Sequence, residues 1–193
     1  MVHPTLWGPT TWQILFGCAW NCPDAKIDVL RRVAVDLVPA LLPCLQCRAH
    51  ARRLRRPGAL GTAHDVLRWL HAYKRDVGRR QKHSVSLSFD DLTRRLAFTG
   101  GVVDDVAAAD CLVLFALAAE ELDDGRAKFV ALCTALAEVL PSAGDSELRA
   151  HLCRVRPETI VLDAVRAARA ARIERGLPVP QSSQHYRNVY GEG

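Results

Sequence analysis

Two cysteines three residues apart, Cys44 and Cys47, lie in the stretch Leu42-Pro43-Cys44-Leu45-Gln46-Cys47-Arg48-Ala49-His50. Pro43 suits a first helical position, because its missing N–H would be unbonded there and its φ is already helical. That places Cys44 in the first turn, where free N–H groups and the helix dipole stabilise a thiolate. Arg48 adds a nearby positive charge. Cys47 lies on the same face, within disulfide reach. Two thiols so placed exchange a disulfide for a dithiol with little backbone movement, so the pair reads as redox machinery. Two other readings stay open. Small buried cysteines can fill a core, or Cys44, Cys47 and His50 could hold zinc with His64 or His71 as fourth ligand.

The elements that position this pair are helical. Hydrophobic residues are 49% of the 193, enough for a full core and against global disorder. The net charge of +5, from 26 basic and 21 acidic residues, does not mark a nucleic-acid binder. Met1–Trp7 shows no secretory signal, and the longest apolar run, Cys111–Ala119, is too short to span a bilayer. The chain is therefore expected to be soluble, made in the cytosol, and without membrane or nucleic-acid partners. Its seven cysteines need not form structural bridges there, and an odd count leaves at least one unpaired.

No sustained period-2 alternation and no Asn-Gly or Asp-Gly turn is found, whereas helical periodicity runs throughout. This counts against a thioredoxin-like fold, whose Cys-x-x-Cys follows a buried strand. Pro9 opens a first predicted helix to about Trp20, with Trp12, Leu15, Phe16 and Ala19 inward. A second spans about 24–41, followed by the Cys-x-x-Cys helix, with Cys44, Cys47, Ala51 and Leu54 on one face. Arg52, Arg53, Arg55 and Arg56 lie mostly on the other, a solvated face because no aromatics interleave with them. Pro57, Gly58 and Gly61 make a turn; helices at 63–80 and about 89–98 follow. Thr99-Gly100-Gly101 is the best boundary, dividing a 1–99 domain from a 100–176 helical domain. In the latter, helices are expected at 104–122, 126–140, 145–154 and 157–175. Residues 177–193 read as a flexible tail.

Trp7-Gly8-Pro9-x-x-Trp12, then Leu42-Pro43-Cys44-x-x-Cys47-x-x-His50-Ala51, then Trp69 with an aromatic and basic helix, then a short helix, stand in a fixed order. This order resembles the Erv/ALR family of FAD-linked sulfhydryl oxidases over residues 3–98. It looks most like the compact versions encoded by large DNA viruses, which also begin at Trp-Gly-Pro. The resemblance implies an all-α fold, a four-helix bundle with a short fifth helix closed around FAD and usually homodimeric. It implies Cys47 as the flavin-proximal sulfur and Cys44 as the interchange thiol that meets substrate. Two departures stand out. Phe16 occupies the position of a family histidine in the first helix. In the fourth, a His-Asn-x-Val-Asn motif becomes Lys74-Arg75-Asp76-Val77-Gly78, retaining only Val77, with His71 one turn before Arg75.

Dithiol oxidation needs an attacking thiolate, an accessible disulfide and an electron sink. Flavin is the expected sink; without a Gly-x-Gly-x-x-Gly it would not sit on a Rossmann unit, and the resemblance implies a site within the helix bundle. The expected stacking surfaces are Trp7, Trp12, Trp69 and Tyr73, with His50 near the ring system, and Phe16, His71, Lys74 and Val77 as further contacts. Arg79, Arg80 and Lys82 are candidates for the phosphates. Substrate dithiol would reduce the Cys44–Cys47 pair, and the electrons would pass through FAD to oxygen as hydrogen peroxide. Cys18, Cys22, Cys111, Cys133 and Cys153 form no second Cys-x-x-Cys and read mostly as buried thiols. By the same resemblance the partners are protein thiols, the state a homodimer, and the setting the cytoplasm of an infected cell, its virion assembly sites or the virion. A helical zinc protein and a scaffold without flavin are the competing classes.

Overall fold

The computed structural model describes residues 3–53, 58, 60–81, 87–141, 147–180, 182 and 184–191. Every regular element among them is helical, as the periodicity implies. Leu54, Arg55, Arg56, Pro57 and Lys82, assigned above to a helix face, a turn or a phosphate site, lie outside the described residues, as does the expected start at 145.

Helix α1 runs Pro4–Asn21, five residues longer at its start than expected. Pro4, not Pro9, takes the early position where a missing N–H is harmless, and His3 Nδ1 accepts the Thr5 N–H at 3.4 Å. Pro9 falls inside the helix, facing the cavity described below.

The stretch 24–41 is helical but not uniform. A 3-10 turn (Asp24–Lys26) leads into α2 (Ile27–Arg31), a π turn (Arg32–Leu37) and α3 (Val38–Leu41). Pro39 explains the π turn: its ring cannot donate to, and pushes away, the carbonyl a turn before it. The widened ladder bonds Val38 N–H to Val33 O. Ala34, Val38 and Pro39 consequently meet the cavity.

Helix α4 (Leu45–Arg53) begins after Cys44, so Pro43 lies just outside the helix rather than at its first position. Cys44 is the capping residue instead: its carbonyl accepts the Arg48 N–H at 2.9 Å and its sulfur accepts the Cys47 N–H at 3.2 Å. Helix α5 (Ala63–Arg80) starts on a capping box. Thr62 Oγ1 accepts the Asp65 N–H at 3.1 Å, and Asp65 Oδ2 accepts the Thr62 N–H at 3.0 Å. Helix α6 (Phe89–Thr99) is capped by Ser88 and stops at Gly100 in the left-handed region, φ 65°.

Gly101 is also left-handed, φ 66°, and packs so closely on Trp20 and Asn21 that a Cβ there would collide. Asn21 Nδ2 donates to both Gly17 O and Gly100 O, tying this turn to the end of α1. Helices α7 (Asp105–Glu120), α8 (Gly125–Val139), α9 (Glu147–Leu152) and α10 (Ile160–Glu174) follow. A single buried apolar cluster takes residues from both sides of the turn, Leu15 and Trp7 together with Phe115 and Val113. Helix α7 is buried around nearly its whole circumference. Residues 177–193, expected as a tail, contain α11 (Gln184–Gly191), held on α7 by Tyr186.

Candidate functional site

A cavity of about 1000 Å³ opens between α1, the π turn with α3, α4 and α5. That is the upper end of the usual size of a small-molecule site. Trp7, Trp12, Phe16, Cys47, His50, His71, Tyr73, Lys74, Val77, Arg79 and Arg80 all line it, so the structure gathers eleven of the sequence-expected residues on one wall. Two others stand behind it. Trp69 packs on Tyr73, ring centroids 5.5 Å apart, and Cys44 lies beneath the surface. A second cavity of about 390 Å³ is lined by Asp28, Arg31, Arg32, Val35, Asp36, Gly58 and Leu60, without sulfur or aromatic ring.

The wall is built of rings. Trp12 stacks on Phe16 at 5.9 Å and 27°, and Tyr73 meets Trp12 edge-on at 5.3 Å. Trp7 stands edge-on to Phe115 at 6.3 Å, and its buried Nε1 has no hydrogen-bond partner. A buried indole N–H costs free energy unless paired, so an acceptor arriving in the cavity would be welcome there. Burial pushes the Tyr73 hydroxyl up to about 12, with Asp76 adding to the effect.

The charge on the wall is of one sign. Lys74, Arg75, Arg79 and Arg80 line the cavity, and no Asp or Glu does among the described residues. Lys74 lies over the Phe16 ring, 5.3 Å from its centroid, where the resembled family carries histidine in place of Phe16. Burial lowers the pKa of its ammonium, and Arg95 lowers it further.

Cys44 and Cys47 form a disulfide, Cα–Cα 5.1 Å. Cys47 stands where the resemblance puts the flavin-proximal sulfur, whereas the burial of Cys44 is at odds with a thiol that meets substrate. Cys44, expected to meet substrate, is only 5% exposed, whereas half-buried Cys47 faces the cavity. Leu45, beside Cys44 at the surface, is exposed.

One turn after Cys47, His50 joins a network that sequence reasoning missed. Arg80 donates to His50 Nδ1 at 2.7 Å, and a guanidinium only donates, so Nδ1 is an acceptor and the imidazole proton sits on Nε2. Nε2 faces Asp76 Oδ2 at 3.6 Å, and Arg80 Nε lies 3.3 Å from the same oxygen. Asp76 and Arg80 are four apart on α5, the spacing of a helix ion pair, which is the one signal that could have marked Asp76.

His71 Nε2 pairs with Leu87 O at 2.7 Å, and His64 packs edge-on to Phe89 at 5.5 Å. Neither histidine has a contact with Cys44 or Cys47 among these interactions. No group of three or more His, Cys, Asp or Glu side chains among the described residues is placed to hold a metal ion. Of the remaining thiols, Cys18, Cys22, Cys111 and Cys133 are buried and Cys153 is exposed. Burial pushes Cys18, Cys111 and Cys133 well above the ordinary thiol range. No helix among the described residues is long and apolar enough to cross a membrane.

No family model matches the chain, and neither does any curated protein or solved structure.

Proposed function

We propose that the chain is an FAD-dependent thiol oxidase that makes disulfides in protein substrates. One observation carries this reading: Cys47, half of a Cys-x-x-Cys disulfide, lines an aromatic cavity bearing four cations and no carboxylate among its described residues. Such a wall suits a flat ring system attached to a diphosphate.

The residues present fit the cofactor. Trp12, Tyr73 and Trp7 would take its flat rings, and the unpaired Trp7 Nε1 would donate to an acceptor on it. Arg75, Arg79 and Arg80 would meet the phosphates, with Lys74 on Phe16 as a further cation. Bound FAD would supply the electron sink, accepting a pair from sulfur and yielding it to oxygen as hydrogen peroxide.

The protein's own step is thiol–disulfide exchange. A substrate thiolate attacks the Cys44 sulfur, the Cys44–Cys47 bond breaks, and the substrate's second thiolate displaces Cys44. The substrate leaves as a disulfide, and the protein pair is left as a dithiol. Cys47, on the cavity wall, hands the electron pair onward. His50 lies on the same wall, held by Arg80 and, from behind the wall, by Asp76. From the motif likeness alone we add a homodimer, and viral protein thiols in the cytoplasm or assembly sites of an infected cell as substrates.

The purified full chain should be yellow, and dithiothreitol should drive peroxide formation that Cys47→Ser abolishes. A colourless, folded protein overturns the flavin claim. Sedimentation of the same sample tests the dimer.

A further inference from the structure

Arg48 is a buried cation with no anion beside it among the described residues. It is 6% exposed, and among the described residues its guanidinium meets no Asp or Glu. Among the described residues the guanidinium has one hydrogen bond, from a terminal nitrogen to Leu42 O at 2.7 Å. A neutral carbonyl does not balance a charge withdrawn from water, and a buried ion is costly unless paired. Other arginines show the usual solution: Arg172 lies against Asp110, and Arg80 against Asp76.

Its location supplies the missing partner. The guanidinium is hydrogen-bonded to Leu42 O, two residues before Cys44, and Arg48 stands four positions after Cys44, the residue that caps α4. The Arg48 N–H is bonded to Cys44 O, and the Cys47 N–H to the Cys44 sulfur at 3.2 Å. In the disulfide that sulfur is neutral, so nothing yet answers the charge. We propose that Arg48 is a positioning residue for the Cys44 thiolate, an anion that exists only when the pair is reduced. This rests on the redox reading of the pair, not on the flavin.

The step balances. A substrate dithiol plus the Cys44–Cys47 disulfide gives a substrate disulfide, a Cys44 thiolate, a Cys47 thiol and one released proton. The sulfur–sulfur bond of the protein breaks, one forms in the substrate, and two electrons pass from substrate to protein. Stabilising the thiolate stabilises the reduced form, which makes the disulfide a stronger oxidant of its substrate. Arg48 also pins the turn that keeps Cys44 covered, so one side chain governs both the reactivity and the position of the attacked sulfur.

The experiment titrates Cys44 in the reduced full chain without oxygen, by iodoacetamide alkylation against pH with the Cys44 peptide read by mass spectrometry. In wild type the midpoint should fall at least one unit below the roughly 8.5 of a free thiol. Arg48→Met should raise it by about one unit and, at a pH above both midpoints, shift the glutathione equilibrium about tenfold toward the disulfide, roughly 30 mV for a two-electron couple. Arg48→Lys should restore part of both. An unchanged midpoint and potential in a folded Arg48→Met protein would leave Arg48 a mere clamp and overturn the proposal. Should Arg48→Met not fold, the wild-type titration decides alone: a Cys44 midpoint at or above about 8.5 overturns it. A colourless protein with a low Cys44 midpoint refutes the flavin and retains Arg48's role.

Discussion

The cavity wall around Cys47 and the packed half around α7 treat space and charge in opposite ways. Along α7 and α10, Ala109, Ala116, Ala164 and Ala168 are buried, and their small side chains let the helix backbones approach closely. Charge in that half is answered locally. Asp110 takes Arg172 and the Tyr186 hydroxyl, Glu120 takes Arg126 and Arg187, and Asp163 takes Arg166. Around Cys47, large rings stand apart to leave about 1000 Å³ open, and Lys74 rests on a ring rather than a carboxylate. One half is complete by itself. The other leaves an open cavity lined by rings and cations.

Large-to-small substitutions should separate the two. Phe129 is fully buried in α8, so Phe129→Ala should cost about 3–5 kcal/mol in urea unfolding and leave flavin content per folded molecule unchanged. Trp12 is half-buried at the cavity, so Trp12→Ala should cost only about 1–2 kcal/mol yet strip the visible absorbance. Equal stability costs with flavin retained in both would erase the proposed division.

The cysteines sharpen the same contrast through pH. Burial raises the Cys111 thiol from 9.0 to about 12, the Thr11 hydrogen bond opposing it in part. A folded-state pKa above the unfolded value means the folded state binds more protons in that window. Stability therefore falls as pH rises from about 9 toward about 12, and is unaffected below. At pH 10.5, one and a half units into the window, Cys111 alone should remove about 2 kcal/mol. Comparing urea midpoints at pH 8 and 10.5 in wild type and Cys111→Ala isolates its share. Equal losses in both would show that Cys111 ionises as easily folded as unfolded. Cys18 and Cys133 act in the same direction.

Much of this was legible in the chain, because local rules govern it. The start of α5 follows from Thr62 and Asp65 at capping-box spacing, and the inward face of Tyr73 and Val77 from helical periodicity, whereas only the motif likeness places Lys74 and Cys47 at one site. What escaped depended on partners far away. Pro9 is a sound helix start in isolation, but Pro4 with the His3 cap competes and wins. The π turn arises from Pro39 acting on the turn before it, within a pattern whose 3.6 period looks unbroken. Polar residues 177–193 carry little apolar periodicity. One tyrosine bonded to Asp110, seventy-six residues away, orders α11. The burial of Arg48 is of the same kind, since composition marks arginine as exposed and the fold buries it with its guanidinium bonded to Leu42 O.

That long-range contact predicts a moderate effect. The Tyr186 hydroxyl donates to Asp110 Oδ1 at 2.6 Å, and Asp110 also holds Arg172. Tyr186→Phe removes one donor to a carboxylate that keeps its guanidinium, so it should cost about 1.5 kcal/mol. Hydrogen exchange should show α11 opening while α5 amides stay protected. Uniform loss of protection across both helices would make α11 part of the same cooperative unit as the cavity wall.

The smallest effect falls on the cavity side. Thr62→Ala removes the hydroxyl that caps α5 and should cost about 1 kcal/mol at neutral pH. The same hydroxyl donates to Asp65 Oδ2 at 2.8 Å and is the main cause of that carboxyl's lowered pKa. A depressed folded-state pKa stabilises above the unfolded value and loses that contribution as pH falls through the folded one. The difference between wild type and Thr62→Ala should therefore be full at pH 7 and shrink below about pH 3.8. Thr62 is not on the cavity wall, so flavin content should not change. Loss of flavin in Thr62→Ala would mean that the first turn of α5 is coupled to the residues two and three turns on that meet the ligand, and that the wall is less preformed than its stacked rings imply.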